Sequence, residues 1–188
     1  MRLIVALGNP GDRYRDTRHN AGWWLADRLA VRWGLGGFEP AGKTARVAGR
    51  VDGRAVEVHK PLTYMNRSGP AVRSLVDRRG IDPARDLLVL VDDVWLDPGR
   101  IRIRSSGSPG GHNGLRSLRD AIGNDYARLR IGVGKPHDDR IDLADWVLTR
   151  MPRTDEEATL STFPRAAEAV EVWLESGVEA AMNRFNAN

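Results

Sequence analysis

Two short, mainly apolar runs predict the central strands of a sheet. They are Leu3–Leu7, which follows Arg2, and Asp86–Val91, which reads DLLVLV. A continuous apolar run of this length, rather than an alternating one, is typical of a strand that is covered on both faces. Each run ends at polar residues or glycine, so each predicted strand leads directly into a loop.

Other segments alternate apolar and polar side chains, which predicts strands with one polar face. Thr44–Val51 and Arg54–His59 flank the dipeptide Asp52-Gly53, which favours a tight hairpin turn. Arg100–Arg104 alternates arginine with isoleucine, so one face of that strand is basic. Arg128–Val133, which reads RLRIGV, is predicted as a further strand.

Helices are predicted where apolar residues recur along one helical face. The segments are, in chain order, Asn20–Trp33, Ser68–Arg79, Leu115–Ile122, Leu143–Leu148, Asp155–Ser176 and Val178–Phe185. Glycines mark several helix ends, at Gly34 after the first helix, Gly80 after the second and Gly177 between the last two.

The alternation of strands and helices, with one hairpin inserted, predicts an α/β fold. We expect a single domain over residues 1–188, with a twisted mixed β-sheet flanked by helices. A chain of 188 residues has the size of one domain and can bury a hydrophobic core. Polar clusters follow both apolar strands, at Gly8–Asn20 and at Asp92-Asp93. Because ligands of open α/β sheets bind beyond the carboxyl ends of the strands, we expect both clusters to face one crevice.

Composition narrows the cellular setting. The chain has no cysteine, which excludes disulfides and thiolate metal sites and fits a reducing compartment. The apolar run near the N-terminus is too short for a signal peptide, and no run approaches the roughly 20 residues of a membrane span. We therefore expect a cytoplasmic protein.

Charge is balanced overall but unevenly distributed. The net charge of +4 permits an anionic partner without requiring one. Basic residues dominate the stretch 100–130: Arg100, Arg102, Arg104, Arg116, Arg119, Arg128 and Arg130 stand against Asp120 and Asp125. A basic region on an otherwise balanced protein is typical of a phosphate-binding face. The alternative is a set of solvated surface arginines, and charge alone does not separate the two.

His19 is the first candidate for catalysis. Its unperturbed pKa near 6.5 suits a general base at neutral pH, and Asn9, Tyr14 and Asn20 share its loop. Such a base needs a carboxylate to orient the imidazole, and Asp92 can supply it if the two strands lie close. The alternatives are an ordinary helix-end histidine and an Asx-turn aspartate.

Two other polar segments are candidates for substrate binding. In KPLTYMNRSGPAV, Tyr64 offers a stacking surface and Asn66 an amide, although Asn66 or Ser68 is equally suited to cap the following helix. In SSGSPGGHNGLRS, the glycines let the backbone approach a ligand, and Asn113 is a helix cap or a ligand group. His112 is a second, weaker candidate base, because no carboxylate partner is evident in the sequence.

Several common chemistries lack their signatures. The glycine-rich segment SSGSPGGHNGLRS contains neither GxxxxGK[ST] nor GxGxxG, which argues against its being the phosphate-binding loop of an ordinary nucleotide-binding enzyme. No GxSxG motif supports a serine nucleophile. The four histidines show no HExxH or paired spacing, so no metal site is predicted.

Taken together, five segments resemble bacterial peptidyl-tRNA hydrolase, in the order and at the separations of that family. They read GNPGDRYRDTRHNAGWW, KPLTYMNRSG, VDDVWLDPG, GGHNGLRS and RLRIGVGKP, and span about Leu3 to Leu148. The resemblance implies a monomeric α/β domain without cofactor or metal. It implies hydrolysis of the ester joining a peptide, or another N-blocked aminoacyl group, to the terminal ribose of tRNA. The implied partner is peptidyl-tRNA, not a membrane.

The resemblance also implies a role for each matching residue. His19 would be the base that activates water, Asp92 would hold its imidazole, and Asn9 would help to distinguish blocked from free aminoacyl groups. The implied substrate contacts are Asn66 and Asn113 to the peptide backbone and the attacking water or oxyanion, Tyr14 and Tyr64 near the tRNA 3′ end, and Arg102, Arg104, Arg130 and Lys135 to tRNA phosphates.

One position departs from the family pattern. The stretch after the second apolar strand often reads Asp-Asp-Leu-Asp in the family, whereas this chain reads Asp92-Asp93-Val94-Trp95, with Trp95 in place of the last aspartate. Asp92 is retained, so the expected base and its orienting group survive. One competing hypothesis is an RNA-binding relative without catalysis, which would not need His19 and Asp92. The other is a nucleotide-dependent α/β enzyme, whose phosphate-binding signature is missing from the glycine-rich segment SSGSPGGHNGLRS.

Overall fold

The computed structural model describes residues 1–186, in which seven strands form one mixed sheet. The strands are β1 (Arg2–Ala6), β2 (Glu39–Ala41), β3 (Thr44–Val51), β4 (Arg54–Pro61), β5 (Leu87–Asp93), β6 (Ile101–Arg104) and β7 (Ala127–Gly132). Their order across the sheet is β2-β3-β4-β1-β5-β7-β6. The four central strands are parallel, while β2, β3 and β6 pair antiparallel with their neighbours. The predicted α/β fold with a mixed sheet is confirmed.

Helices cover both faces of this sheet. They are α1 (Ala21–Arg32), α2 (Ser68–Arg79), α3 (Pro83–Asp86), α4 (Asn113–Ile122), α5 (Leu143–Trp146), α6 (Arg153–Ser161) and α7 (Phe163–Phe185), with short 3₁₀ turns at Asp12–Tyr14, Arg18–Asn20 and Met65–Arg67. Side chains of β1 and β5 alternate between two cores, one under α1 and α7 and one under α2 and α4. Burial on both faces explains why both strands are continuously apolar in sequence.

The predicted helix Asp155–Ser176 is wrong as a single helix. The structure ends α6 at Ser161 and begins α7 at Phe163, with Pro164 in the first turn of α7. Proline lacks the backbone N–H that a continuous helix would need, but it is accepted in a first turn. The predicted break at Gly177 is present, because Gly177 adopts φ 84° and ψ 178°. Within residues 1–186, no helix is both long and apolar enough to cross a membrane.

The packing of α1 places its N-terminus at the carboxyl ends of β1 and β5. A Cβ atom added to Gly22 would lie 2.7 Å from the carbonyl oxygens of Leu7 and Leu90, so only glycine allows this approach. Because His19 directly precedes α1 and Asp92 lies at the end of β5, the same packing brings these two residues together.

Candidate active site

Asp92 lies at the centre of the site and hydrogen-bonds two imidazoles. Nδ1 of His19 is 2.9 Å from Oδ2 of Asp92, and Nε2 of His112 is 2.9 Å from Oδ1. The ring centres of the two histidines are 4.7 Å apart. His112 thus has a carboxylate partner that is not evident in the sequence, because the loop after β6 folds back over the end of β5.

The hydrogen bonds of His112 determine its tautomer. Its Nδ1 accepts the backbone N–H groups of Gly114 and Leu115, at 3.1 and 3.2 Å, and thereby caps the N-terminus of α4. Nε2 must then carry the proton that is donated to Asp92. The helix cap is thus His112, and Asn113, which was predicted as a cap or a ligand, is the first residue of the helix.

The electrostatics of this group keep Asp92 ionised. Burial opposes ionisation of Asp92, but the two histidines outweigh it and hold the pKa of its carboxyl well below the usual range. Burial lowers the pKa of His112, against the attraction of Asp92, so His112 is neutral at pH 7. A neutral His112 agrees with an Nδ1 that accepts two backbone hydrogen bonds.

His19, Asp92 and His112 also form the one group of potential metal ligands within the described chain, with ligand atoms within 4.8 Å of one another. The sequence has no histidine spacing typical of a metal site, but folding brings these three potential ligands together. The hydrogen bonds nonetheless argue against a metal here. Because Nδ1 of His112 is committed to the helix cap, its Nε2 carries a proton and has no lone pair for a cation.

A buried arginine fixes the segment opposite His19. Arg18 is only 1% exposed, stacks 3.6 Å from the ring centre of Trp146 and donates hydrogen bonds to the carbonyl oxygens of Thr149 and Arg150. The backbone N–H of His19 also donates to the carbonyl of Val147, at 2.9 Å. These contacts hold the segment 146–150, which contributes Val147 to the cleft wall, against His19.

Asn9 joins the loop after β1 to the turn before α2. Its side-chain oxygen accepts the N–H of Met65 at 2.8 Å. Its backbone N–H and C=O are both paired with the side chain of Asn20, at 2.8 and 3.0 Å. Because the side-chain oxygen already accepts a hydrogen bond from Met65, the side chain is oriented so that its Nδ2 group can donate to a ligand.

The predicted substrate residues gather beside His19. A crevice of about 210 Å³ is lined by Asn9, Tyr14, Tyr64, Asn66 and Asn113, together with His19. The two tyrosine rings meet edge to face, with centroids 6.4 Å apart.

Neither Asn66 nor Ser68 caps α2 with its side chain, so the predicted cap at this helix is wrong. The 3₁₀ turn Met65–Arg67 precedes the helix instead. The side chain of Asn66 is exposed to the cleft as a result.

A second crevice of about 360 Å³ lies on the other side of His19. His112, Trp95, Arg116 and Arg130 are among its lining residues. His19 and Asn113 line both crevices, so the imidazole stands between an amide-rich side and a side that carries arginine.

The predicted phosphate-binding residues have different environments. Arg102 and Arg104 are exposed on the edge strand β6, and Lys135 is exposed after β7. Arg130 is opposite Arg102 in the sheet and donates to Oδ2 of Asp93 at 3.0 Å, so it is partly neutralised. Arg128 is fully buried and donates to the carbonyls of Ser108 and Asn124. The basic region predicted from the sequence therefore includes one arginine that is structural.

Sequence reasoning assigned no role to Arg18 or Asn20 and made His112 only a weaker candidate base, yet all three shape the site. Each acts through a contact that exists only in the folded chain. The available signal for His112 was its place directly before α4, in the sequence His112-Asn113-Gly114. The first N–H groups of a helix need acceptors, and the residue before the helix can supply one.

Comparisons with known proteins agree with this geometry. A sequence model of the family described as peptidyl-tRNA hydrolase matches residues 3–188. The chain is 47% identical over 188 residues to the peptidyl-tRNA hydrolase of Chloroflexus aurantiacus, covering 99% of both chains. It is 44% identical over 187 residues to that of Gemmatimonas aurantiaca, covering 97% of this chain and 98% of the relative.

Solved structures show the same similarity in three dimensions. The crystal structure of peptidyl-tRNA hydrolase from Acinetobacter baumannii superposes with a TM-score of 0.93 at 35% sequence identity, covering 100% of this chain and 95% of that one. The family match extends past Leu148, where the five motifs end, through the closing helices. The chain therefore belongs to the peptidyl-tRNA hydrolase family and is an enzyme of this kind.

Proposed function

We propose that this protein hydrolyses the ester bond between a peptide, or an N-blocked aminoacyl group, and the terminal ribose of tRNA, with His19 as general base. The observation that carries the proposal is the His19–Asp92 pair in a cleft between amide groups and arginines. Because Nδ1 of His19 bonds Asp92, its Nε2 is the nitrogen left to accept a proton from water.

The reaction needs one water and no covalent enzyme intermediate. His19 takes a proton from water, and the resulting hydroxide oxygen forms a bond to the ester carbonyl carbon. The tetrahedral intermediate then collapses with cleavage of the bond to the ribose oxygen, which receives the proton back from His19. The products are the free carboxylic acid and tRNA with an intact terminal hydroxyl. Asp92 stays ionised throughout and stabilises the imidazolium that forms between the two proton transfers.

The asparagines supply donors for the polar atoms of the substrate. Oδ1 of Asn9 accepts from Met65 and Oδ1 of Asn113 accepts from Arg116, which directs both Nδ2 groups to other partners. Such donors can pair with the peptide carbonyl or with the developing oxyanion, where one donor is worth about 10²–10³-fold in rate. They recognise backbone atoms that every peptide has, so peptide sequence need not matter.

The two sides of the sheet differ in the substrate groups that they suit. On one side of Asp92 lie β1 and β4 with the asparagine crevice, and a groove of about 1080 Å³ continues from Asn66 and Asn113 between α2 and α4. On the other side lie β7 and β6 with Arg130, Arg102 and Arg104. We assign the peptide to the first side and the tRNA phosphates to the second, since arginine suits phosphate and amides suit peptide. Tyr14 and Tyr64 line the first side, so this assignment puts them beside the peptide and differs from their implied place near the tRNA 3′ end.

His19→Ala tests the proposal in an assay that releases N-acetyl-aminoacyl groups from tRNA. We expect a loss of about 10²–10⁴-fold in kcat, the contribution typical of a general base. Binding of deacylated tRNA should stay close to that of the parent protein. His137→Ala is the matched control, because His137 is exposed and lies outside the cleft.

Asp92→Asn is the second arm, because it keeps the shape of Asp92 but removes the charge that orients His19. It should lower kcat with little change in tRNA binding. Near-normal turnover by the His19→Ala protein would show that another group is the base. Tight tRNA binding without any turnover by the parent protein would favour a non-catalytic RNA-binding role.

A further inference from the structure

Trp95 is an exposed aromatic side chain at the rim of the cleft, where the family often has an aspartate. Its side chain is 61% exposed and lines the crevice shared by His19, Asp92 and Arg130. Trp95 has no part in the proposed proton transfers. Within residues 1–186, its indole makes no ring contact and no hydrogen bond, so its face is open to a ligand.

The turn that carries Trp95 is firmly held. The backbone N–H of Trp95 donates to Oδ1 of Asp93 at 2.9 Å, and Oδ2 of Asp93 accepts from Arg130 at 3.0 Å. The next residue, Leu96, accepts the N–H of Gly134 at 2.9 Å. An exposed indole on a backbone fixed in this way is preorganised for stacking, because little backbone entropy is lost when a ligand binds.

The position of the crevice indicates which part of the substrate reaches the indole. In the sheet, β7 lies between β5, which carries Asp92, and β6, which carries Arg102 and Arg104. The end of β5 and the strand β6 are therefore separated by two strand spacings, or about 10 Å. With the ester at His19 and phosphates at β6, as proposed above, the nucleotides between them lie on the side of the cleft where Trp95 and Arg130 line the crevice.

The charges of the crevice suit an uncharged base rather than a phosphate. Asp92 is hydrogen-bonded by two imidazoles, and Asp93 is paired with Arg130. Arg116 and Asp142, which also line the crevice, add one charge of each sign, so the crevice has no excess of positive charge. Arg102 and Arg104, two exposed arginines without a carboxylate opposite them in the sheet, lie farther out, on β6. Stacking of a base on an aromatic face needs no charged partner, so it is a contact that this crevice can supply.

We propose that Trp95 is the stacking platform for a base of the single-stranded 3′ end of tRNA. The inference rests on the proposed function, which supplies the RNA, and assigns the base to the arginine side of His19. It makes Trp95 a substrate-binding residue that sets affinity for the acceptor end and takes no part in proton transfer.

Trp95→Ala and Trp95→Phe test this role by steady-state hydrolysis of N-acetyl-phenylalanyl-tRNA. Loss of one stacked base predicts a rise of about 5- to 100-fold in KM for Trp95→Ala, with kcat within about twofold. Trp95→Phe keeps an aromatic face and should restore most of the affinity. Val31→Ala is the matched control, since Val31 is 75% exposed on α1 and should change neither constant.

A direct binding measurement uses the RNA trinucleotide CCA and the indole N–H resonances of the six tryptophans. The resonance missing from the Trp95→Phe protein identifies Trp95, and CCA should shift it. An N-acetyl dipeptide amide should not.

Three outcomes would overturn the proposal: an unchanged KM in Trp95→Ala, no shift with CCA, or a shift with the dipeptide amide alone. Each is distinguishable from failure of the proposed function, because the parent protein's turnover of the same tRNA substrate is measured in the same experiment. An unfolded Trp95→Ala protein would be recognised by its thermal transition, and the resonance shift in the parent protein would still decide the question.

Discussion

At the scale of single residues, the arrangement depends on which nitrogen of each imidazole carries a proton. Nδ1 of His112 accepts two backbone N–H groups, so its Nε2 donates to Asp92. His19 contacts the other oxygen of the same carboxylate through Nδ1. Both oxygens of Asp92 are thus engaged, which fixes its orientation and leaves Nε2 of His19 as the nitrogen that the proposed general base would use.

The cap formed by His112 predicts a pH dependence of stability. Because its pKa in the folded protein lies below the unfolded value near 6.5, the unfolded chain binds a proton that the folded chain does not. This stability is complete above pH 6.5 and is lost as the pH falls below it. His112→Asn keeps a side-chain acceptor for the helix cap but removes the titration.

Urea unfolding at pH 7 and pH 5 measures this effect. The free energy of unfolding should fall more steeply for the parent protein than for His112→Asn, by at most about 1.4 kcal/mol per pH unit. His137→Asn, which replaces an exposed histidine, should behave like the parent. Equal pH slopes in the parent and in His112→Asn would mean that folding does not lower the pKa of His112.

At the scale of elements, the close contact of α2 with α4 sets the shape of the amide side of the cleft. Gly69 in α2 donates its N–H to Oγ of Ser117 in α4 at 2.9 Å. A methyl group at Gly69 would overlap the carbonyl oxygen of Ser117. Because Asn66 precedes α2 and Asn113 begins α4, the spacing of these helices determines the spacing of the two amides.

Gly69→Ala should therefore damage both stability and activity. Overpacking at a tight contact costs about 1–3 kcal/mol in the free energy of unfolding, and separation of the helices should lower kcat as well. Gly37→Ala is the control, since no heavy atom lies within 4 Å of a Cβ added there and Gly37 does not have a positive φ. A Gly69→Ala protein with the parent's urea midpoint and kcat would contradict the close contact.

The edge strand β6 is held by an unusual partner. The side chain of Asn186 accepts the N–H of Ile103 at 2.9 Å and donates to its carbonyl at 2.8 Å, as a neighbouring strand would. This pair satisfies part of an otherwise open sheet edge and holds the strand that presents Arg102 and Arg104. The end of α7 thus supports the proposed RNA-binding surface.

At the scale of the whole molecule, the sheet separates two kinds of surface on either side of Asp92. The proposed RNA side predicts that Arg102→Ala combined with Arg104→Ala weakens tRNA binding and reduces its salt dependence. Each lost phosphate contact lowers the slope of log K against log[salt] by about 0.7–0.9, so the double variant should lose about 1.5. Titrations of deacylated tRNA at several salt concentrations measure the slope.

Arg28→Ala combined with Arg50→Ala is the control for this experiment. It removes the same charge from exposed residues of α1 and β3. A salt slope that falls equally in both double variants would show a general charge effect in place of specific phosphate contacts. Arg130 is less suitable for the test, because replacing it would also free Asp93 and the turn of Trp95.

Much of this molecule is determined by the sequence itself. The apolar runs predicted β1 and β5 because a strand buried on both faces needs apolar side chains at every position. The motifs around His19 and Asp92 indicated the family, and parallel pairing of β1 with β5 explains why residues at the two strand ends meet. These features are local, or follow from a rule for parallel sheets.

Only the tertiary structure decided which side chains pair across the loops. It joined His112 to the carboxylate already held by His19, buried Arg128 among backbone carbonyls and left Trp95 open at the cleft. Hydrophobic periodicity reports whether a side chain faces the core or the solvent, but not the direction in which a glycine-rich loop returns. The partners of His112 and Arg128 depend on that direction, because the segment between β6 and α4 must fold back over the sheet before these contacts exist.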